Sequence, residues 1–237
     1  MIYAEILAGG KGTRMGNTDL PKQFLMLGEK PIIIHTIEQF MLVSEIDKII
    51  VCCPKAWISH MEDLLKKYIK QKENIYIVEG GNNRNETIMN GCKFIEKEFG
   101  LDDKDIVITH DAVRPFVSIK IIKDNIEIMK EADAADTVIE ATDTIVESKD
   151  GEFIDNIPNR KEMYQGQTPQ SFKIKKLMDL YKSLTRDEKE ILTDACKIFV
   201  LKGSNVKLVH GDEFNMKITK LHDLKVASAI LSERGNK

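Results

Sequence analysis

The chain has 237 residues, of which 42% are hydrophobic and 31% charged, a composition typical of ordinary globular proteins that excludes disordered and fibrous classes. Its 35 basic and 38 acidic residues are interspersed and give a net charge of −3, which excludes a broad basic face for a nucleic-acid backbone. The first residues lack a basic leader region and no segment approaches the roughly 20 apolar residues of a membrane span, so we expect a cytoplasmic protein.

Short runs rich in Ile and Val alternate with stretches of three-to-four periodicity, which predicts strands buried on both faces and amphipathic helices. Strands are predicted at Ile2–Leu7, Lys48–Cys53, Ile75–Glu79, Ile106–Thr109 and Thr137–Ala141. Helices are predicted at Pro31–Phe40, Lys55–Ile69 and Asn85–Phe99. The alternation indicates an α/β fold with a doubly wound, mostly parallel, Rossmann-like sheet, in a single domain over residues 1–237.

The alternation breaks after Ala141. Residues 143–148 and 151–157 look like hairpin strands with few apolar residues, too few to form a core of their own. We therefore expect an arm at about 142–172 that packs on a second subunit. Beyond it, the pattern predicts a helix at Ser171–Leu184, strands at Val206–His210 and near Asn215–Thr219, and a helix from Leu221 to about Arg234.

Four cysteines are scattered along the chain, at Cys52, Cys53, Cys92 and Cys196. They form neither a CxxC pair nor a zinc-like spacing. Buried free thiols without chemistry are the expected outcome.

A glycine-rich segment directly follows the first predicted strand. It reads AGGKGTRMG from Ala8 to Gly16, and PKQF follows from Pro21. Glycines let the backbone approach a polyphosphate, while Arg14 and Lys22 supply fixed positive charge. The order of residues matches neither a P-loop nor a dinucleotide fingerprint. A glycine-rich turn without a ligand remains the alternative.

A second motif, THDAVRPF, lies at the carboxyl end of the predicted fourth strand, where open α/β sheets bind ligands. Asp111 is placed to hold Mg²⁺, which takes few carboxylates and fills its other positions with phosphate oxygens and water. His110 is interpreted as structural, because Mg²⁺ prefers oxygen ligands.

A third motif, EGGNNRNET from Glu79 to Thr87, again joins a strand end to a helix start. Its backbone and the side chains of Asn82 and Thr87 could read the edge of a base. An ordinary turn capped by Asn83 or Asn85 is the alternative.

These three loops, together with the late Lys217, bring glycine backbone, cations and one carboxylate to one edge of the sheet. This set suits in-line attack at an α-phosphorus, because cations and Mg²⁺ disperse the developing charge and pyrophosphate leaves without a dedicated acid. No nucleophilic Ser/His/Asp set is evident.

The motifs resemble those of a known family along nearly the whole chain: the cytidylyltransferases that join CTP to a sugar phosphate or polyol phosphate. The resemblance rests on LAGGKGTRMG with PKQF, GGNNRNET, HDAVRPF, DT at Asp143, QGQTPQSF from Gln165, TDACK from Thr193 and NMKIT from Asn215. It implies a fold of the nucleotide-diphospho-sugar transferase type, CTP as the nucleotide, Mg²⁺ as the divalent cation and a homodimer joined by the arm.

The resemblance also implies roles for single residues. Arg14 and Lys22 would stabilise the transition state at the α-phosphate, and Asp111 would hold Mg²⁺. The residues expected around cytidine are Ala8, Gly9, Gly10, Gly81, Asn82, Arg84, Thr87 and Ala112. The residues expected to hold the acceptor phosphate are Arg114, Thr168 and Lys217, with Thr144 and Arg160 contributed across the dimer.

Two segments decide the expected acceptor. RKEMYQGQTPQSF and ILTDACKIF look more like the members that use ribitol 5-phosphate than those that use 2-C-methyl-D-erythritol 4-phosphate, which is the alternative. The expected product is CDP-ribitol, for teichoic acid or another ribitol-containing surface polymer. The chain departs from many relatives at Lys220–Asp223, which bears on the placement of Lys217.

Two other classes compete with this hypothesis. A nucleotide-binding regulator without catalysis is disfavoured because Arg14, Lys22 and Asp111 are all present. An NAD-linked reductase is disfavoured because Met15 stands where its third glycine is needed.

Overall fold

A computed structural model describes residues 1–10 and 20–235. The strands are β1 (Ile2–Leu7), β2 (Met26–Leu27), β3 (Lys30–Pro31), β4 (Lys48–Cys53), β5 (Ile75–Glu79), β6 (Ile106–Asp111), β7 (Ala134–Glu140), β8 (Tyr164–Lys173) and β9 (Lys207–His210). The helices are α1 (Ile32–Met41), α2 (Ile58–Tyr68), α3 (Arg84–Phe99), α4 (Ile119–Ile128), α5 (Ile174–Ser183), α6 (Arg186–Glu190), α7 (Cys196–Leu201) and α8 (Leu221–Gly235).

Seven of the strands form the central sheet, in the order β5-β4-β1-β6-β8-β7-β9. Every neighbouring pair is parallel except the two that involve β8, which runs antiparallel to β6 and β7. The predicted mostly parallel α/β sheet is confirmed. Because β1, β5 and β6 run in the same direction, the loops that follow them meet at one edge of the sheet.

The core lies on both faces of the sheet, since successive side chains of a strand point to opposite sides. On one face, Ala4 and Ile6 of β1 pack in a buried cluster with α1, α2 and α4. On the other, Tyr3 packs in a cluster with α3, α5 and α7. Burial on both faces explains why the strands read as nearly continuous apolar runs.

The structure corrects several predicted elements. Asn215–Thr219 was expected as a strand, but its backbone is irregular, and Ile218 N–H donates to Val113 O at 2.9 Å. The end of the predicted arm, from 164 onward, is β8 of the central sheet. The helix expected from Ser171 starts at Ile174 because β8 continues to Lys173. β2, β3, β8, α4, α6 and α7 were not predicted.

The remainder of the predicted arm, residues 142–163, lies outside the sheet. Glu147 and Asn156 form an isolated β-bridge within it, and Ala141 N donates to Met163 O at 3.0 Å at its base. Phe153, Ile154 and Ile157 are 72%, 60% and 57% exposed. A second subunit that covers them stays a prediction.

All four cysteines are buried and free, as predicted. No helix within the described part of the chain is long and apolar enough to cross a membrane.

Candidate active site

A cleft of about 210 Å³ opens where the loops after β1, β5 and β6 meet. Its described lining residues are Leu7, Gly9, Gly10, Lys22, Gln23, Gly81, Asn82, Asn83, Arg84, Thr87, Asp111, Ala112, Val113 and Lys217. The structure therefore brings the three predicted loops together with Lys217. Ala8 lies behind the lining, at 1% exposure. Arg14 lies outside the described residues.

The Gly81 loop is fixed to the start of α3. Thr87 Oγ1 accepts a hydrogen bond from Gly81 N at 3.0 Å and donates to Asn83 O at 2.8 Å. A β-carbon on residue 81 would lie 2.4 Å from Cβ of Glu86, so only glycine fits there. The loop thus carries its backbone to the cleft with little freedom.

Polar side chains of this loop are also committed locally. Asn82 donates to Glu86 through both its backbone N and Nδ2, each at 3.0 Å. Asn83 caps α3 by accepting from Glu86 N. In this structure the side chains of Asn82 and Thr87 help to hold the loop, and their expected role beside cytidine stays a prediction.

Lys22 stands opposite that loop, in a 3-10 turn at Lys22–Phe24. Its Cε would lie 3.7 Å from a β-carbon built on Gly10, so the two predicted phosphate-binding segments are adjacent. The neighbouring Gln23 is buried, and its Nε2 donates to Ala8 O at 2.6 Å. This bond ties the turn that carries Lys22 to the glycine-rich loop.

Asp111 lies at the centre of the charges in the cleft. Its Oδ2 is 2.8 Å from Lys217 Nζ and 3.6 Å from Arg114 Nε, and its Oδ1 is 3.8 Å from Arg84 Nε. Burial raises the pKa of Asp111, but the charges of Arg84, Lys217 and Arg114 lower it by more and hold it well below its usual range. The carboxylate therefore stays ionised across the physiological pH range.

His110 is structural, as predicted. Both ring nitrogens are engaged: Nδ1 with Thr168 Oγ1 at 3.0 Å and Nε2 with Arg114 O at 3.1 Å. Burial lowers the pKa of His110 to about 4, so the ring is neutral. Since Arg114 O can only accept, Nε2 carries the proton and Nδ1 accepts from Thr168, whose oxygen accepts from Asp111 N at 3.2 Å.

The expected acceptor residues divide into two groups. Arg114, Thr168 and Lys217 lie together around Asp111. Thr144 and Arg160 are exposed on the arm and do not line the cleft, and Arg160 Nη1 donates to Thr142 O at 2.9 Å. Their expected role across a dimer stays a prediction.

A separate group of possible metal ligands lies on β7, in the segment before α7 and at the first residue of α7. The ligand atoms of Asp136, Asp194 and Cys196 are all within 4.8 Å of one another. Gln170 Nε2 donates to Asp136 at 2.9 Å and to Asp194 at 2.6 Å, so an amide already satisfies both carboxylates. Burial raises the pKa of Asp136 to about 6.

Sequence reasoning gave no role to several residues that shape the site. Gln23 and Val113 line the cleft, and Asn215 contacts Arg114 and Thr168. Gln23 and Asn215 belong to the PKQF and NMKIT motifs. The sequence therefore singled out these residues but did not predict their contacts.

The arrangement suits binding of a polyanion and charge dispersal at a phosphorus atom. Lys22, Arg84 and Lys217 face one cleft with glycine backbone on two sides. No described lining residue is a Ser, Cys or His that could act as a covalent nucleophile. Direct transfer between two bound substrates is the chemistry that this lining supports.

Comparison with known proteins identifies the family of the chain. A profile of the family 2-C-methyl-D-erythritol 4-phosphate cytidylyltransferase matches residues 2–233. The crystal structure of 4-diphosphocytidyl-2C-methyl-D-erythritol synthase from Anaerococcus prevotii is similar, with 30% sequence identity, a TM-score of 0.80, and coverage of 98% of this chain and 96% of that one.

Two further structures are similar. The 2-C-methyl-D-erythritol 4-phosphate cytidylyltransferase of Francisella tularensis shares 25% identity with a TM-score of 0.78, over 96% of this chain and 98% of its own. The bifunctional IspDF of Campylobacter jejuni shares 27% identity with a TM-score of 0.74, over 94% of this chain and 53% of its own.

Proposed function

The chain belongs to the 2-C-methyl-D-erythritol 4-phosphate cytidylyltransferase family and is a CTP-dependent cytidylyltransferase; from that premise we propose that it transfers CMP from CTP to a polyol phosphate. The observation that carries the proposal is the ring of Arg84, Arg114 and Lys217 around Asp111, beside Lys22 and the two glycine loops. It offers cationic groups to two phosphate-bearing substrates in one cleft.

The proposed reaction is in-line displacement at the α-phosphorus. A phosphate oxygen of the acceptor attacks, the bond to the bridging oxygen breaks, and pyrophosphate leaves with the electron pair. Lys22, and Arg14 from outside the described residues, would stabilise the charge on the five-coordinate phosphorus. The glycine loops would hold the triphosphate and cytidine through their backbone N–H groups.

Asp111 fits the proposed Mg²⁺ site. Its carboxylate is ionised, and Arg84 Nε lies 3.8 Å from its Oδ1, which is too long for a hydrogen bond. A hard cation bound by one carboxylate takes its other ligands from phosphate oxygens and water. Bound there, Mg²⁺ would neutralise the triphosphate, while Arg84 and Lys217 orient the carboxylate.

Two acceptors remain in competition. The names of the similar solved structures and of the family support 2-C-methyl-D-erythritol 4-phosphate better. The segments RKEMYQGQTPQSF and ILTDACKIF support ribitol 5-phosphate, with CDP-ribitol as a precursor of teichoic acid or another ribitol-containing surface polymer, by their resemblance to members that use it. In either case Arg114, Thr168 and Lys217 are the proposed ligands of the acceptor phosphate.

We further propose a homodimer in which residues 142–163 of each chain contact the partner. The exposed apolar side chains of Phe153, Ile154 and Ile157 support this proposal. Thr144 and Arg160 would then complete the acceptor site of the other subunit. A cytoplasmic location, where CTP is available, is part of the same proposal.

Product analysis tests the acceptor. Purified protein is incubated with CTP, Mg²⁺ and, in turn, ribitol 5-phosphate, 2-C-methyl-D-erythritol 4-phosphate or ribulose 5-phosphate. Pyrophosphate release is measured, and the CDP-linked product is identified by mass spectrometry. CDP-ribitol or CDP-methylerythritol decides between the two candidates, and turnover of neither would contradict both. NADPH oxidation serves as the control for reductase activity.

A further inference from the structure

Asn215 lies in the irregular segment between β9 and α8 and is fully buried. Its side-chain Nδ2 donates to Thr168 O at 2.7 Å and to Gln167 Oε1 at 3.0 Å. Its Oδ1 is buried and makes no hydrogen bond within the described structure. The two bonds from Nδ2 therefore fasten this segment to β8, the antiparallel strand that carries Thr168.

The backbone of the same residue holds Arg114. Arg114 Nη1 donates to Asn215 O at 2.6 Å, and both groups are buried. Two residues further along, Lys217 Nζ reaches Asp111 Oδ2 at 2.8 Å. Asn215 thus contacts Arg114 and Thr168 and lies two residues before Lys217. These three residues are far from one another in the sequence but meet around Asp111.

Gln167, on β8, makes further contacts with the segment that carries Asn215. We call the contacts of Asn215 and Gln167 between this segment and β8 the joint. Its Oε1 accepts from Asn215, and its Nε2 donates to Asp212 O at 2.9 Å. A β-carbon on Gly211 would lie 2.4 Å from Gln167 Oε1, so the amide is packed closely against the backbone of this segment. The contacts leave little room for an alternative arrangement.

We propose that Asn215 is a positioning residue for acceptor binding: it holds Arg114, Thr168 and Lys217 in one fixed arrangement without touching either substrate. The inference rests on the proposed function in one respect, namely that these three residues hold the acceptor phosphate. It assigns to Asn215 a role in acceptor affinity and none in CTP binding, because its contacts lie on the β8 side of Asp111.

The test compares Asn215→Asp with Asn125→Asp. Asn125, on α4, is also fully buried; its Nδ2 donates to Ile121 O and Thr137 Oγ1, each at 2.9 Å, and its Oδ1 accepts from Ser171. It does not line the cleft. Both changes keep the side-chain shape and remove two buried donor contacts, but only one of them disturbs the proposed joint.

Steady-state constants are measured for CTP and for whichever acceptor the wild type turns over. Asn215→Asp should raise the KM for the acceptor by about 10- to 100-fold, from the loss of two buried hydrogen bonds, with the KM for CTP changed by less than about twofold. Asn125→Asp should lower the thermal midpoint while leaving both KM values near wild type. Binding of inorganic phosphate to CTP-loaded protein is a second probe and should weaken only in Asn215→Asp.

The inference is overturned if Asn215→Asp leaves the acceptor KM unchanged, raises the CTP KM equally, or behaves like Asn125→Asp. If Asn215→Asp does not fold, Gln167→Met removes one acceptor of the same joint and should raise the acceptor KM by a smaller factor. Arg114→Ala separates the two proposals. An unchanged acceptor KM in Arg114→Ala contradicts the acceptor site itself, whereas a raised KM there with none in Asn215→Asp contradicts only the positioning role.

Discussion

The cleft around Asp111 and the arm at residues 142–163 are built in opposite ways. Asp111, Arg114 and Thr168 are buried, and neighbouring loops of the same chain hold them. In the arm, no residue is fully buried, and one isolated bridge joins its two limbs. The difference fits the two proposals made above, that the loops of one chain form the CTP site and that the arm contacts a second subunit.

The largest expected effect tests the cleft side of this comparison. Replacing Lys22 with Ala removes a charge that faces the cleft beside Gly10 and should lower kcat by roughly 10²–10³-fold. Arg14→Ala should have an effect of similar size. Pyrophosphate release is the measurement, and Lys66→Ala, on the exposed side of α2, is the matched control. Near-normal turnover in Lys22→Ala would contradict the proposed role of Lys22 in stabilising the transition state.

The arm side is tested by dimerisation. Phe153→Asp places a charge on the most exposed apolar side chain of the arm and should weaken a dimer by about tenfold or more. Analytical ultracentrifugation over a concentration series measures the shift. A wild type that stays monomeric at all concentrations would contradict the proposed dimer.

The sharing of sites between subunits is tested by complementation. Mixing Arg14→Ala chains with Arg160→Ala chains should restore part of the activity if Arg160 serves the partner's cleft, because one of the two sites in the heterodimer is then intact. Subunit exchange is verified by differently tagged chains. Subunit exchange without restored activity would show that Arg14 and Arg160 serve the same subunit's cleft.

A smaller effect is expected beneath the cleft, at Glu5 of β1. Its carboxyl is fully buried, one oxygen lacks a partner within the described structure, and burial raises its pKa from 4.5 to about 8. The folded state therefore binds this proton more tightly than the unfolded chain, and its contribution to stability is lost as pH rises from about 4.5 through about 8.

Glu5→Gln keeps a neutral side chain at every pH. Relative to wild type, the variant should gain on the order of 1–3 kcal/mol in unfolding free energy between pH 5 and pH 9. Urea unfolding at several pH values measures this, with the exposed Glu131→Gln as control. Parallel pH profiles for wild type and Glu5→Gln would show that Glu5 ionises normally.

The smallest expected effect concerns the turn that precedes α8. Asp223 Oδ2 accepts hydrogen bonds from Thr219 N, Thr219 Oγ1 and Lys220 N, and so secures the start of α8. Asp223→Asn should cost about 1 kcal/mol of stability, the usual value of such a cap, and leave kcat unchanged. A clear loss of kcat would mean that this turn also positions Lys217.

The sequence predicted the elements whose pattern reflects burial alone. β1 and β4 match their predicted limits because apolar runs of this kind are stable when a sheet buries them on both faces. β5 also matches its limits, although it is an edge strand and is only partly buried. β8 was missed because its sequence, YQGQTPQSFK, is mostly polar and contains a glycine and a proline, which are uncommon inside strands. Its Gln170 and Ser171 are fully buried, and their partners, such as Asp194 and Asn125, are distant in sequence.

The same reasoning explains the site. The loops that contain glycine and cations were predictable, since polyphosphate binding demands those residue types in a short stretch. Asn215–Thr219 alternates like a strand, yet its Asn215 turns inward to β8 and its Ile218 bonds to Val113 outside any ladder. Such contacts depend on which segments meet in the fold, and local periodicity does not encode them.

The arm leaves and rejoins the sheet at adjacent positions, because Glu140 at the end of β7 pairs with Tyr164 at the start of β8. In topological terms it is an insertion in a β-hairpin, and its two ends are already held together. A gene could therefore lengthen, shorten or exchange residues 142–163 without shifting the register of any strand. On the proposed roles, a change in the arm would alter the subunit contact and, through Thr144 and Arg160, the acceptor site, while the sheet and the two glycine loops stay in place.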